Sequence, residues 1–209
     1  MSTSPRPDVG DDPAGLLLLR GSVAEVSAWL RKGVVPATVV PMDGWTAVFP
    51  EGRSFADPPY ADGSMVTASR PIPRKLGPAL GFWVVDGRAI ITVQTKGRGG
   101  IRYVVWEPER GIVSPPGLTV AGPVTIQRVA GGGNRAELVE ILRELYVQPD
   151  RLLAAVVSVL ELPGARTLID PAGAEDLPDA VSVLPAPKEI GYFNDAVKDA
   201  VRLRQELEA

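Results

Sequence analysis

Apolar residues recur along this chain with two different spacings, and the change from one to the other comes near residue 130. A short apolar run at 16–19 reads as a strand. It leads into Ser22-Val23-Ala24-Glu25, where a serine hydroxyl and a glutamate three residues on can cap each other's backbone and start a helix. Val23, Val26, Trp29 and Leu30 share one face of that helix, and Gly33 after Arg31 and Lys32 stops it. Two β-rich runs, 37–40 and 45–49, flank Met42-Asp43-Gly44, whose Asp-Gly pair tolerates positive φ and suits a hairpin turn. The start is therefore β, α, β, β. Residues 51–81, crowded with Pro, Gly, Asp and Ser, predict a long connector without regular structure.

The centre predicts a meander. Runs at 82–85 and 88–95 enclose Asp86-Gly87, and 101–106 follows the loop Lys96-Gly97-Arg98-Gly99-Gly100. In that last run Arg102, Val104 and Trp106 fall on one face and Ile101, Tyr103 and Val105 on the other. Another strand is expected at 124–129.

Beyond residue 130 the spacing becomes helical. Asn134 with Glu137 resembles a capping box ahead of the stripe Leu138, Ile141, Leu142 and Leu145. A second helix runs from Pro149 through Leu162, apolar on most sides as a buried helix is. Short strands are expected at 167–169 and 180–184. Residues 188–207 form an amphipathic helix with Ile190, Phe193, Val197, Ala200, Val201 and Leu207 near one side; under three heptads is short for a coiled coil, so it should dock on the protein's own sheet. The pattern as a whole predicts an α+β fold: an antiparallel sheet with a βαββ start and central meander, helices packed on it, and a mainly helical last third. Its parts are a tail at 1–14, a β-rich unit at 15–130 and a helical part at 131–209 on the same core.

Composition narrows the chemistry more than it changes the fold. The 209 residues include no histidine and no cysteine, which excludes disulfides, Cys/His zinc sites and the nucleophile systems built on a cysteine or a histidine base. With 45% hydrophobic residues and a net charge of -3 the chain is ordinary globular material. No stretch approaches the roughly 20 apolar residues of a membrane helix, and residues 1–14 lack the apolar segment of a secretory signal. A cytoplasmic location is expected, and the preference for arginine over lysine, 17 to 5, suggests a bacterial genome rich in G and C. No cofactor and no metal are expected.

Charge supplies the remaining candidates. Residues 66–106 carry seven cations against the single acid Asp86, a net of +6, whereas 170–199 carry seven acids against two lysines, a net of -5. Such asymmetry marks a binding surface or two regions that meet each other. In the glycine loop, backbone amides and the charges of Lys96, Arg98 and Arg102 can converge on an anion, although the phosphate-loop spacing is missing. Arg88 and Trp106 extend the same basic sheet region. Gly131-Gly132-Gly133 ahead of Asn134 has the strand, glycine, helix order that favours anions, but glycine's ordinary work there is a turn. Glu107 and Glu109, or Asp195 and Asp199, are the carboxylate pairs that could act as acid and base, and such pairs are common on solvated surfaces. Trp29, Trp45, Trp83 and Trp106 read as core.

The leading expectation is a non-enzymatic interaction or regulatory module, self-associating, that meets an acidic protein partner with its basic sheet region. No catalytic residue is assigned. The alternative is an enzyme or nucleotide-binding protein that holds a small anion at Lys96, Arg98 and Arg102. Single-stranded nucleic acid ranks third, because a pI near 5.1 is far from the basic value of such domains.

Overall fold

Four consecutive leucines leave a strand with no polar face, and such a strand belongs inside a sheet covered on both sides. A computed structural model describes residues 15–97 and 99–208, and the strand β1 (Gly15–Leu19) lies in the interior of its sheet. The eight-stranded order is β7-β6-β5-β4-β1-β3-β2-β8, with β2 (Ala37–Met42), β3 (Trp45–Pro50), β4 (Ala79–Val85), β5 (Arg88–Gln94), β6 (Arg102–Glu107), β7 (Gly111–Val113) and β8 (Val181–Val183). Every neighbouring pair is antiparallel. Leu17 stands between Val48 of β3 and Gly81 of β4. Since β1 is antiparallel to both, β3 and β4 run parallel to each other, as do β1 and β2 across β3. Parallel strands need a crossover, and the helices α1 (Val23–Leu30) and α2 (Gly63–Ser69) supply the two crossovers.

Strand alternation splits the leucines between two cores. Leu16 and Leu18 join Phe82, Ile91, Val104 and Trp106 beneath α3 (Pro123–Ala130), α4 (Arg135–Ile141), α5 (Pro149–Val159) and α6 (Ala165–Ile169). Leu17 and Leu19 join Trp83, Val39 and Val48 beneath α1 and α2, with Trp29 and Ala68 from those helices. The protein is thus an α+β fold in three layers. The first core takes residues from both the 15–130 stretch and the later helices, which are therefore packed together. All four tryptophans are buried. Trp83 Nε1–H donates to Thr92 Oγ1 at 3.0 Å, so its polar edge is satisfied inside an apolar layer; a buried indole of this kind is worth about 3–5 kcal/mol against alanine.

Several expectations change. Residues 124–129 form a helix, not a strand: Pro123 fits the first helical turn, Ile126, Val129 and Ala130 are buried at helical spacing, and Gly131 stops the element in the left-handed region at φ 84°. Short branched runs carry both periods, and here the flanking Pro and Gly decide. Residues 167–169 are likewise helical in α6, after Gly164 at φ 92°. The connector 51–81 is not irregular throughout, because Asp62 accepts Met65 N–H at 2.9 Å and starts α2, and β4 begins at Ala79. The β7 edge strand, too short to show a pattern, was not expected. The last helix, α7 (Pro187–Glu208), does not dock on the sheet; it leans on the loop before α2.

Candidate functional site

Two crossovers on one face of a sheet bring their helix ends together, and between them lies a largely apolar cavity. It has a volume of about 570 Å³ and is walled by the exit of α1, by α2 and by α7, with Leu30, Val34, Val35, Val66, Phe193 and Val197 among its lining side chains. α7 is fastened at its start. Ala186 N–H donates to Arg31 C=O at 2.9 Å, and Ile190 and Phe193 pack on the small cluster of Val34, Val35, Ala56 and Val66. The Phe193 ring meets Tyr60 edge-on at 5.4 Å. Asn194 Oδ1 accepts Asp57 N–H at 3.0 Å and Lys198 Nζ stands 3.7 Å from Asp57 Oδ2. Every described side chain after Val197 is exposed, Val201, Leu203 and Leu207 among them.

Arg70 stands in the wall of this groove. Its Nη2–H donates to Trp29 C=O at 2.7 Å, and its guanidinium carbon lies 4.2 Å from the centre of the Trp29 ring. The carbonyl belongs to the last turn of α1, where the helix dipole favours a cation. Gly33 permits the approach: a Cβ there would meet Arg70 Cζ at 3.0 Å. Burial lowers the Arg70 pKa from the ordinary arginine value to about 10, opposed by the attraction of Glu189 on α7. No carboxylate oxygen of the described residues comes within 4.0 Å of Arg70. The groove therefore combines apolar walls with a partly desolvated guanidinium that uses one N–H for the protein's own backbone. Lys32 and Arg204 add positive charge at its border. Arg70 and Glu189 are also where the basic stretch at 66–106 and the acidic stretch at 170–199 come into electrostatic reach.

The five residues singled out from the sequence are not gathered around one point. Lys96 and Arg102 are exposed at the same end of the β5–β6 ladder, where Arg102 is opposite Val93. Arg88 is at the other end of β5, across from Val85, roughly 26 Å from Lys96 along an extended strand, and its Nε is 2.9 Å from Glu107 Oε1. Trp106 is 1% exposed and donates to Glu144 C=O at 3.2 Å, so it offers a surface partner nothing. Arg98 lies outside the described residues, as does the 1–14 tail. A shallow hollow of about 410 Å³ adjoins the glycine loop, with Arg74, Gln94 and Tyr103; burial raises the Tyr103 pKa. Gln94 is already spent, since Nε2–H donates to Ile72 C=O at 2.5 Å and Oε1 accepts Ile72 N–H at 3.2 Å.

Of the carboxylate pairs, Glu107 is held by Arg88 and by Arg110, the latter at 3.1 Å, while Glu109 makes no ion pair among the described residues and is exposed. Gly131 and Gly133 serve as turns between α3 and α4. A polar basin of about 700 Å³ with Arg53, Asp62, Asp86 and Asp150 opens by the β4–β5 turn, but Asp62 is engaged as the α2 cap. Among the described residues no three carboxylates gather to hold a metal ion, and no helix is long and apolar enough to cross a membrane. Sequence reasoning counted Arg70 only as one of seven cations. Its partner lies 41 residues away, and no local pattern signals that contact. No protein-family model, curated protein or solved structure matches the chain.

Proposed function

We propose that this protein is a non-enzymatic interaction module of a bacterial cytoplasm that associates with a second copy of itself through α7. The observation that carries this reading is the unsupported second half of that helix. Ala196, Ala200, Leu203 and Leu207 recur at spacings of four, three and four along one side of α7, the repeat by which helices pair. Leu203 and Leu207 are 55% and 88% exposed. A free helix of about ten residues is marginal in water without a partner to cover its apolar side. Along the seam the two alanines, which also line the groove beside Arg70, come before the two leucines, so Leu203 and Leu207 supply the contact between copies. The exposed cations Lys96 and Arg102 at the sheet corner suit an acidic protein partner of the assembled form.

Light scattering on the full chain tests the reading. The expected mass is twice 22.1 kDa, falling to the monomer in a Leu203→Glu, Leu207→Glu variant whose circular dichroism in the aromatic region is unchanged. A wild-type monomer at high micromolar concentration, or a variant that keeps the dimer mass, would refute it.

A further inference from the structure

The Arg70 groove has a chemistry that self-association through Leu203 and Leu207, which do not line it, does not use. Its walls are aliphatic and aromatic, its volume of about 570 Å³ is within the range of small-molecule sites, and among the described residues the Arg70 side chain makes a single hydrogen bond, to Trp29 C=O. We propose that this groove binds an aliphatic carboxylate, with the ligand's carboxyl group on the Arg70 guanidinium and its hydrocarbon chain lying along α7 beneath Val66, Phe193 and Val197.

The head group follows from geometry and charge. A planar guanidinium presents paired N–H groups that match the two oxygens of a carboxylate. The stack on Trp29 and the bond to its carbonyl fix the plane of the fork before any ligand arrives, so little order is lost on binding. Glu189 is close enough to influence Arg70, and one guanidinium with a carboxylate nearby suits a monoanion better than a phosphate dianion. Thr67 and Ser69, the hydroxyl residues of α2 that line the groove, donate to the helix's own Gly63 and Val66 carbonyls at 2.8 and 3.1 Å. They are poor partners for a sugar or a nucleotide, whose several polar groups would need them.

The tail follows from the walls. From Phe193 to Arg204 the groove runs beside α7 for about 16 Å at the rise of an α-helix, and the side chains that meet it there, apart from Arg204, are Ala196, Val197, Ala200 and Val201. A hydrocarbon chain covers these apolar surfaces without leaving a polar atom unpaired.

Calorimetric titration of the full chain with decanoate, decan-1-ol and decylammonium tests the assignment. Decanoate is expected to bind at least 10-fold more tightly than the alcohol, the range of a charge-assisted pair, and decylammonium more weakly than either. Arg70→Met should reduce decanoate to the level of the alcohol, and Glu189→Gln, which removes a like charge, should tighten decanoate and leave the alcohol unchanged. Equal binding of acid and alcohol by the wild type, no binding of decanoate, or undiminished decanoate binding by Arg70→Met overturns the proposal. If Arg70→Met does not fold, the wild-type comparison and Glu189→Gln decide. Mass is read by scattering in the same samples, so a chain that fails to dimerise and a groove that fails to bind are distinguished.

Discussion

Arg70 can be a strut or a receptor, and replacing it by methionine separates the two, because methionine keeps an unbranched stem of similar length and discards the charge. Burial lowers the Arg70 pKa to about 10; at about 1.4 kcal/mol for each pH unit below the ordinary arginine value, keeping the charge in the folded state costs about 3 kcal/mol. Since the folded pKa is the lower one, the penalty is fully present below about pH 10 and is relieved only as pH rises from there toward the unfolded value. Against it stand the bond to the Trp29 carbonyl, about 1.5–3 kcal/mol for a charged donor, and the stack on the indole, about 0.5–2 kcal/mol. These opposing effects nearly cancel, so Arg70→Met should change the unfolding free energy by less than about 1 kcal/mol, as replacements of buried charges by apolar residues often do. Urea unfolding at pH 7, followed by tryptophan fluorescence, measures it. A loss beyond about 3 kcal/mol would be a large mutational effect. It would show that the arginine holds α1 against α2, and the argument that its charge is free for a ligand would fail.

Gly131 and Gly133 have nearly the same dihedral, φ 84° and 86°, in different surroundings. A Cβ on Gly131 meets nothing within 4 Å, whereas one on Gly133 meets Leu160 Cα at 2.5 Å. Gly131→Ala should cost about 1–2 kcal/mol from the left-handed backbone alone, and Gly133→Ala that amount plus about 1–3 kcal/mol of overpacking; equal urea midpoints for the two would refute the distinction. Glu25 takes Ser22 N–H at 3.1 Å, and that bond above all holds its carboxyl below the usual pKa. A depressed carboxylate stabilises above its unfolded pKa and loses that contribution as pH falls through the folded value. Glu25→Gln should therefore lower the melting temperature at pH 7, and the deficit should close below about pH 4; a deficit that persists in acid would contradict this.

What was legible in the sequence was whatever is decided within a few residues. The α1 capping box is present as Ser22 and Glu25 imply, and the turns at Asp43-Gly44 and Asp86-Gly87 carry positive φ at Gly44, Asp86 and Gly87. What was not legible depends on distant partners. The run 124–129 has the branched residues of a strand, but its Ile126 and Val129 are buried against the sheet from a helix. Trp106 shares a strand face with Arg102, yet one is buried and donates to Glu144 C=O after α4 and the other is in solvent, because the helical layer covers only part of that face. Alternation gives a residue's face; it does not say how far the next layer extends.

The same limit hides Arg70 from the sequence, since its partner on α1 is 41 residues away. Each crossover must return over the same face of the sheet to reach its next strand, so the C-terminal ends of α1 and α2 come together there. The α1 end offers a carbonyl and an indole, and the α2 end offers the guanidinium that lies on both. Connections between rigid elements are where proteins commonly carry their binding groups. Here two such connections meet under α7, a helix attached by its first turns, and this junction joins apolar wall, fixed cation and helical cover. The sheet corner of Lys96 and Arg102 has charge but no comparable wall, and so the groove is the stronger candidate for specific recognition.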